Sequence, residues 1–386
     1  MKESDFTSQM PGSFVKNLQG VTTFAPAPLP PALSLPLSWL KRLGVVDNML
    51  GRLDGAAKAL PDQKILVRSF VRREAQLSSY IENTYARYEE VAAADADNER
   101  TEINEPVRET LNAERAIRAG VEAVFEQGRP VSLQLIRRMH GILLDGVRGH
   151  ESRGKFRGVQ VYIGSSRDVQ HARFVPAPSH LLDDLMEQFA KSLGNPDDLP
   201  PAVQLALLHY QFETIHPFED GNGRLGRILI LLGLCQHQML TVPLFNASLH
   251  FERNRQEYYD SLLRASTHGD WLSWISFFVE GLRVAAVESL QKINELTELR
   301  KNYHQRLQAA RNSALLLKLV DQLFIRPVIR VSDAQETMGV TYPPALNSIQ
   351  KLIDAKILSE IKPRSMPARF IARGILKAVN AEPTQR

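Results

Sequence analysis

The sequence predicts a mainly α-helical protein: a helical core with a β-hairpin flap, followed by a C-terminal winged helix-turn-helix. Three observations predict it. Apolar residues recur at helical spacing from Leu37 through most of the 386 residues. A single stretch, 156–164, alternates instead and is rich in β-formers. From 311 onward the order is helix, helix, turn, helix and a two-stranded tail, the arrangement of a winged helix. A chain of this length suits two or three domains. We place them at 1–110 (N-terminal helical region with a proline-rich arm), 111–290 (core), 291–310 (linker helix) and 311–386 (winged-helix-like).

In chain order, FAPAPLPPALSLP (24–36) cannot form helix interior and reads as an extended arm. Helices follow at 68–90, 106–126, 131–146, 179–193, 202–215, 224–237, 253–266, 270–290 and about 288–311. The stretch AAADADNERTE (92–102) has turn formers and no periodicity, so it reads as a loop. Phe156 to Gly164 alternates and, with Phe174-Val175-Pro176, predicts a short hairpin. Hairpins are marginal alone, so an exposed one on a helical body suggests a use for its edge. In the tail, Leu315–Phe324 is a helix, Ser332 reads as the N-cap of a second that Gly339 ends, and Pro343-Pro344 start a third running to Ala355. Ile357-Leu358 and Phe370-Ile371 would form the wing.

Hydrophobic residues make up 44% and charged residues 23%, which excludes a disordered or fibrous chain. The start, MKESDFTSQM, carries no apolar secretory region. The run Ile228–Cys235 is far short of the ~18 residues of a membrane span. Cys235 stands alone, which excludes an internal disulfide and reads as a buried structural thiol. The expected location is therefore cytoplasmic, with no membrane partner. The net charge of +4 divides unevenly, with +8 in residues 301–386 and −4 before them. A basic tail leaves two readings open, DNA contact or a solvated packing module.

The segment that carries chemistry is His216-Pro217-Phe218-Glu219-Asp220-Gly221-Asn222-Gly223-Arg224-Leu225-Gly226-Arg227. A helix ends at a histidine, a tight turn holds an acid, and a glycine-rich stretch opens a new helix. Gly221 and Gly223 allow backbone amides close to an anion, and the helix N-terminus adds its positive dipole end. Arg224 and Arg227, three apart, share a face and can clamp phosphate oxygens. Asp220 is a hard oxygen ligand suited to Mg²⁺ on phosphates, and His216 is a base near neutral pH. There is no Walker loop and no kinase motif set. His209, Glu213 and His216 share a helix face, but without H-E-x-x-H spacing or another strong ligand they make a poor zinc set.

This segment matches the signature of the Fic family, H-P-F-x-[D/E]-G-N-G-R-x-x-R, at every defined position, and so resembles it closely. Further resemblance lies in Leu53-Asp54-Gly55, Arg73-Glu74-Ala75-Gln76-Leu77-Ser78-Ser79, the hairpin at 156–164 (the family's flap), and Ala172–Pro178. Tyr258-Tyr259 and Gly269-Asp270-Trp271 extend it, so that roughly 30–290 is covered. The resemblance implies transfer of AMP from ATP to a Ser, Thr or Tyr hydroxyl of a target protein or of the chain itself, with release of pyrophosphate. His216 would be the base and Asp220 the Mg²⁺ ligand. Gly221, Asn222 and Gly223 would form the anion hole, with Leu225 and Gly226 in the same ATP-binding stretch. Arg224 would meet the β-phosphate and Arg227 the γ-phosphate. Tyr258 and Tyr259 would wall the adenine or else pack in the core.

Ser78-Ser79-Tyr80-Ile81-Glu82-Asn83 fits the family's inhibitory motif, [S/T]-x-x-x-E-[G/N], and places Ser78 and Glu82 as inhibitory residues. The target would dock on the flap at 156–164 by strand addition. Still open are a DNA-binding regulator that uses the core as a sensor, transfer of another nucleotide or phosphate group, AMP removal and a homodimer.

Overall fold

The computed structural model describes residues 1–96, 103–164, 172–194, 199–309, 314–361 and 368–381. The chain opens with an antiparallel hairpin, β1 (Gly12–Lys16) and β2 (Thr22–Pro26), in which Phe14 faces Phe24. Thr22–Pro26 was expected partly as extended arm. It becomes a strand because its Thr and Phe side chains bury against the core, and the Phe24 amide donates to the Val175 carbonyl at 2.9 Å.

Helices α1 (Ser38–Lys58) and α2 (Lys64–Ile81) follow. The helix expected over 68–90 stops at Glu82, because Asn83 takes a left-handed turn (φ 60°), and a new helix, α3 (Tyr88–Ala96), begins. The loop expected at 92–102 is thus helical to Ala96, and 97–102 lie outside the described residues. A buried ion network fixes α2. Arg72 pairs with Glu114 at 2.6 Å and Asp95 at 2.9 Å, and Arg68 pairs with the same two acids. Helix α4 (Glu105–Val121) carries Glu114; the Asn104 side chain caps it by accepting from the Val107 amide at 3.0 Å. It runs into a short π segment, Glu122–Glu126. Ser132 caps α5 (Leu133–Leu143).

The expected flap narrows to one antiparallel bridge, Ile163 to Phe174, and 165–171 lie outside the described residues. Pro176 bridges in parallel to Phe24, so the N-terminal hairpin backs the second leg of the flap. Next come α6 (Leu182–Gly194), α7 (Pro201–Ile215) and α8 (Asn222–Gln236). Helix α7 reads AVQLALL and is buried nearly all round, which makes it the central helix. Helix α9 (Ser248–Arg253), absent from the sequence reading, is only six residues long; α10 (Arg255–His268) succeeds it.

The two helices expected at 270–290 and 288–311 are one, α11 (Trp271–Ala309), so the linker helix is continuous with the core. The C-terminal unit runs α12 (Ala314–Ile325), β3 (Val328–Arg330), α13 (Val331–Met338), α14 (Tyr342–Asp354), β4 (Ser359–Glu360), β5 (Arg369–Ile371) and α15 (Arg373–Asn380). Its sheet has the order β3-β5-β4. Ser332 is not the N-cap of α13: it sits in the first turn, and the Asp333 side chain accepts from the Arg330 amide at 2.7 Å instead. This unit packs on α2, where the Ser69 hydroxyl donates to the Phe324 carbonyl at 2.7 Å and Arg73 donates to Asn380 at 3.2 Å. No helix among the described residues is long and apolar enough to cross a membrane.

Candidate functional site

Helix α7 ends because His216 takes a left-handed conformation (φ 51°, ψ 62°), which is costly for a side-chain-bearing residue and reverses the chain sharply. Pro217 and Phe218 then descend into the core, where the Phe218 ring stacks on His140 at 3.7 Å and 14°. Asn222 locks the turn from within. Its Oδ1 accepts from the Phe218 amide and its Nδ2 donates to the Phe218 carbonyl, both at 2.9 Å. His140 Nε2 lies 3.0 Å from the Asp220 carbonyl. Gly221 (φ 80°) precedes α8 in a conformation that requires glycine. The 221–223 segment therefore heads a helix N-terminus that borders open space, with the Gly221 amide already donating to Asp220 Oδ1 at 2.7 Å.

That space is a cavity of about 630 Å³. His216, the 220–224 turn, Arg227, Glu82, Tyr162 of the flap, Tyr258 and Tyr259 all border it. The structure thus brings together every residue that the sequence reading placed in the site, save Ser78, Leu225 and Gly226, which lie behind the wall.

Each polar group has a definite electrostatic state. Burial pushes the His216 imidazole down to about 4, against smaller opposing effects, so the ring is neutral at neutral pH. Its Nδ1 lies 3.2 Å from the Glu213 carbonyl, which can only accept. Nδ1 therefore carries the proton and Nε2 is left as a free base. Burial alone would raise the Asp220 carboxyl, but Arg224 and Arg148 outweigh it and hold Asp220 below the usual range. Arg148 donates to Asp220 Oδ2 at 2.8 Å, and Arg224 donates to Glu109 of α4 at 2.6 Å. Arg227 is sealed from solvent at 1% exposure. It donates from Nε to the Ser78 hydroxyl at 2.9 Å, and from Nη2 to the Ser78 carbonyl at 2.9 Å and to Glu82 Oε1 at 2.7 Å. Its Nη1 is buried without a partner among the described residues. The Glu82 carboxylate lies so close over the α8 N-terminus that a Cβ at Gly223 would collide with it.

Two family models match: the Fic/DOC family N-terminal model over residues 40–122, and the Fic/DOC family model over 130–234. Over these stretches the chain carries the two domains of the Fic/DOC family. "Probable protein adenylyltransferase" of Aquifex aeolicus is 34% identical over 27% of this chain and 30% of its own length. "Protein adenylyltransferase Fic" of Drosophila grimshawi is 30% identical over 42% of this chain and 30% of its own length. This Fic chain thus spans about a third of the curated relatives it matches. A Fic family protein of Desulfovibrio desulfuricans G20 shares the fold, with a TM-score of 0.58, 20% identity, and coverage of 93% of this chain and 100% of that one.

Several site residues escape the sequence reading. In this Fic core, Glu109 and Arg148 partner Arg224 and Asp220 from distant segments, and nothing local in sequence marks them. Glu213, with His209, reads from the sequence as a supporting or core group rather than as a zinc ligand. Burial raises its carboxyl to about 8, with Oε1 sealed against Gly226 and without a partner among the described residues. His209 has both nitrogens engaged, with the Gly226 carbonyl at 3.2 Å and the Tyr258 hydroxyl at 2.7 Å, so the zinc face does not exist. Tyr258 is fully buried and stacks on Phe251 at 5.0 Å, so core packing accounts for most of its ring. Tyr259 is the half-buried one, with Arg255 over its ring at 5.7 Å. Cys235 is free and half-buried, with burial raising its thiol to about 11, as an inert thiol should be.

Proposed function

We propose that this Fic chain transfers AMP from ATP to a protein hydroxyl and that Glu82 restrains it. One observation carries the reading. The complete His216–Arg227 turn opens on a 630 Å³ cavity, and a carboxylate already sits on the arginine at its inner end. A helix N-terminus with two arginines behind it is an anion cradle. A triphosphate fits such a cradle, with the terminal phosphate taking the place of Glu82 on Arg227.

In the proposed reaction, His216 Nε2 accepts the proton of a Ser, Thr or Tyr hydroxyl. The oxygen bonds to the α-phosphorus and the bond to the bridging oxygen of pyrophosphate breaks. The amides of 221–223 stabilise the charge on the α-phosphate oxygens. Arg224 and Arg227 hold the β- and γ-phosphates. Among the described residues no cluster of three metal-ligating side chains occurs. Asp220 alone, an ionised carboxylate bordering the cavity, fits the habit of Mg²⁺, which takes one or two carboxylates together with substrate phosphates. When bound, Mg²⁺ supplies charge neutralisation on the phosphates. The target segment would lie along the flap leg at 159–163, since the other leg is already backed by β2.

For the C-terminal unit we propose a winged helix. Its helix, strand, helix, helix, strand, strand order and its basic charge support that, and DNA is the partner it would fit. Incubating the protein and a cell lysate with α-labelled ATP tests the main reading. Wild type should label itself or lysate proteins, and His216→Ala should not. Equal labelling by both would remove the reading.

A further inference from the structure

Arg157 stands where the first leg of the flap leaves the body, and only 2% of it reaches solvent. Its guanidinium spreads over four carbonyls. Nε donates to His216 at 2.8 Å, Nη1 to Val159 at 3.0 Å, and Nη2 to Ala177 at 2.6 Å and Ile215 at 3.3 Å. Its own amide donates to the Pro217 carbonyl at 2.9 Å. Among the described residues it has no carboxylate partner, so here a cation is buried to bind carbonyls alone.

A buried unpaired charge is expensive, and burial draws this guanidinium down to about 10. Packing alone does not need such a group. A fork of five donors does what no neutral side chain can: it holds three chain segments at once. Two of its acceptors are the last carbonyls of α7, the negative end of a helix, where a cation is favoured. The same two carbonyls belong to Ile215 and to His216, the residue that takes the left-handed turn. Such a backbone conformation persists only where the surroundings over-determine it.

On the transferase reading above, we infer that Arg157 is a positioning residue that ties both legs of the flap to His216. A hydroxyl presented by the flap then meets the imidazole at a fixed place. Val159 lies on the flap leg that would carry the target, and Ala177 lies on the leg backed by β2. One guanidinium thereby sets the spacing between the strand that docks the acceptor and the ring that takes its proton. A misplacement of about 1 Å costs on the order of 10²-fold in rate.

The test uses the full chain in a Glu82→Gly background, with Arg157→Gln and Arg157→Lys added singly. Three quantities are read: the single-turnover self-labelling rate from α-labelled ATP, the MgATP affinity by calorimetry, and the His216 Cε1 NMR resonance, assigned with His216→Ala. Arg157→Gln should lower the labelling rate by about 10²-fold, with MgATP affinity held within about threefold, since the cradle at 220–227 is untouched. The His216 resonance should move. Its titration should rise modestly, because burial, the main cause of the low value, remains while a neighbouring cation that also lowers it is gone. Arg157→Lys keeps the charge and loses the fork, so it should hold the titration and still lose about tenfold in rate.

A folded Arg157→Gln with labelling within twofold of its parent and an unmoved His216 resonance overturns the inference. If that variant does not melt cooperatively, Arg157→Lys decides: labelling within twofold overturns the tie. If the parent labels nothing, it is the transferase reading that fails, and the His216 resonance in the two variants still decides whether Arg157 positions the ring.

Discussion

Two helices end at the same cavity, and they end alike. Helix α7 stops at His216 with φ 51° and α2 stops before Asn83 with φ 60°. The difference lies in what holds each end. The last carbonyls of α7 are gripped by buried Arg157, and the turn beyond it is pinned by Asn222 and His140. The end of α2 is held from one side by Arg227, which grips Ser78 twice and pairs with a Glu82 side chain still 32% exposed, and at the surface by a contact from Arg255 to Asn83 at 2.7 Å. Further back, α2 is anchored as firmly as any helix here, through Arg68 and Arg72. What this teaches is a division of labour along one wall. One end carries the imidazole, and the other carries a partly exposed carboxylate seated on Arg227.

Breaking the imidazole end should have the largest effect. His216→Ala should lower transfer by about 10²–10⁴-fold and leave MgATP affinity nearly unchanged in calorimetry, because the cradle does not involve the ring. A matching loss of affinity would mean that the two ends are not separable. Asp220→Ala should abolish any dependence of the rate on added Mg²⁺, whereas Glu219→Ala, an exposed residue, should leave it intact. Titrating Mg²⁺ against labelling rate checks both.

The pH profile sharpens the comparison. With its folded value depressed to about 4, His216 stays neutral down to that region, so labelling should not fall between pH 8 and 6 for want of base. An ordinary imidazole, near 6.5, would already have lost half its activity at that pH.

Smaller effects come from behind the wall. The Glu213 carboxyl is raised to about 8, so its burial costs stability above the unfolded value and the cost grows as pH rises toward 8. Glu213→Gln should therefore raise the melting temperature at pH 8 by about 2 °C and by less at pH 5. An equal gain at both values would show that the carboxyl is not held neutral.

Much of this was legible because the chemistry is local in sequence. Within twelve residues, His216–Arg227 contains the end of one helix, the turn and the start of the next, and short-range rules suffice to place them. The α7 and α8 spans fell within two residues of expectation for the same reason. What was hidden depends on contacts across the chain. The break of the 68–90 helix comes at a left-handed Asn83, next to a Glu82 drawn onto Arg227 of a distant helix, and propensity alone continues it. The strand at Thr22–Pro26 exists because Gly12–Lys16 pairs with it along its length, and Val175 adds a partner for the Phe24 amide. Arg157 sits in an alternating stretch, where an arginine reads as an outward-facing polar residue. Only the fold turns it inward.

The central claim is that the end of α2 masks an AMP-transfer site, and Glu82→Gly tests it most directly. The carboxylate makes a charge-assisted contact worth roughly 1.5–3 kcal/mol, which corresponds to about 10- to 100-fold in productive occupancy. Self-labelling of full-length Glu82→Gly from α-labelled ATP should exceed wild type by at least tenfold, γ-labelled ATP should give none, and adding Arg227→Ala should cancel the gain. α-Labelling within twofold of wild type on a folded protein, or label arriving from the γ position, would contradict the account.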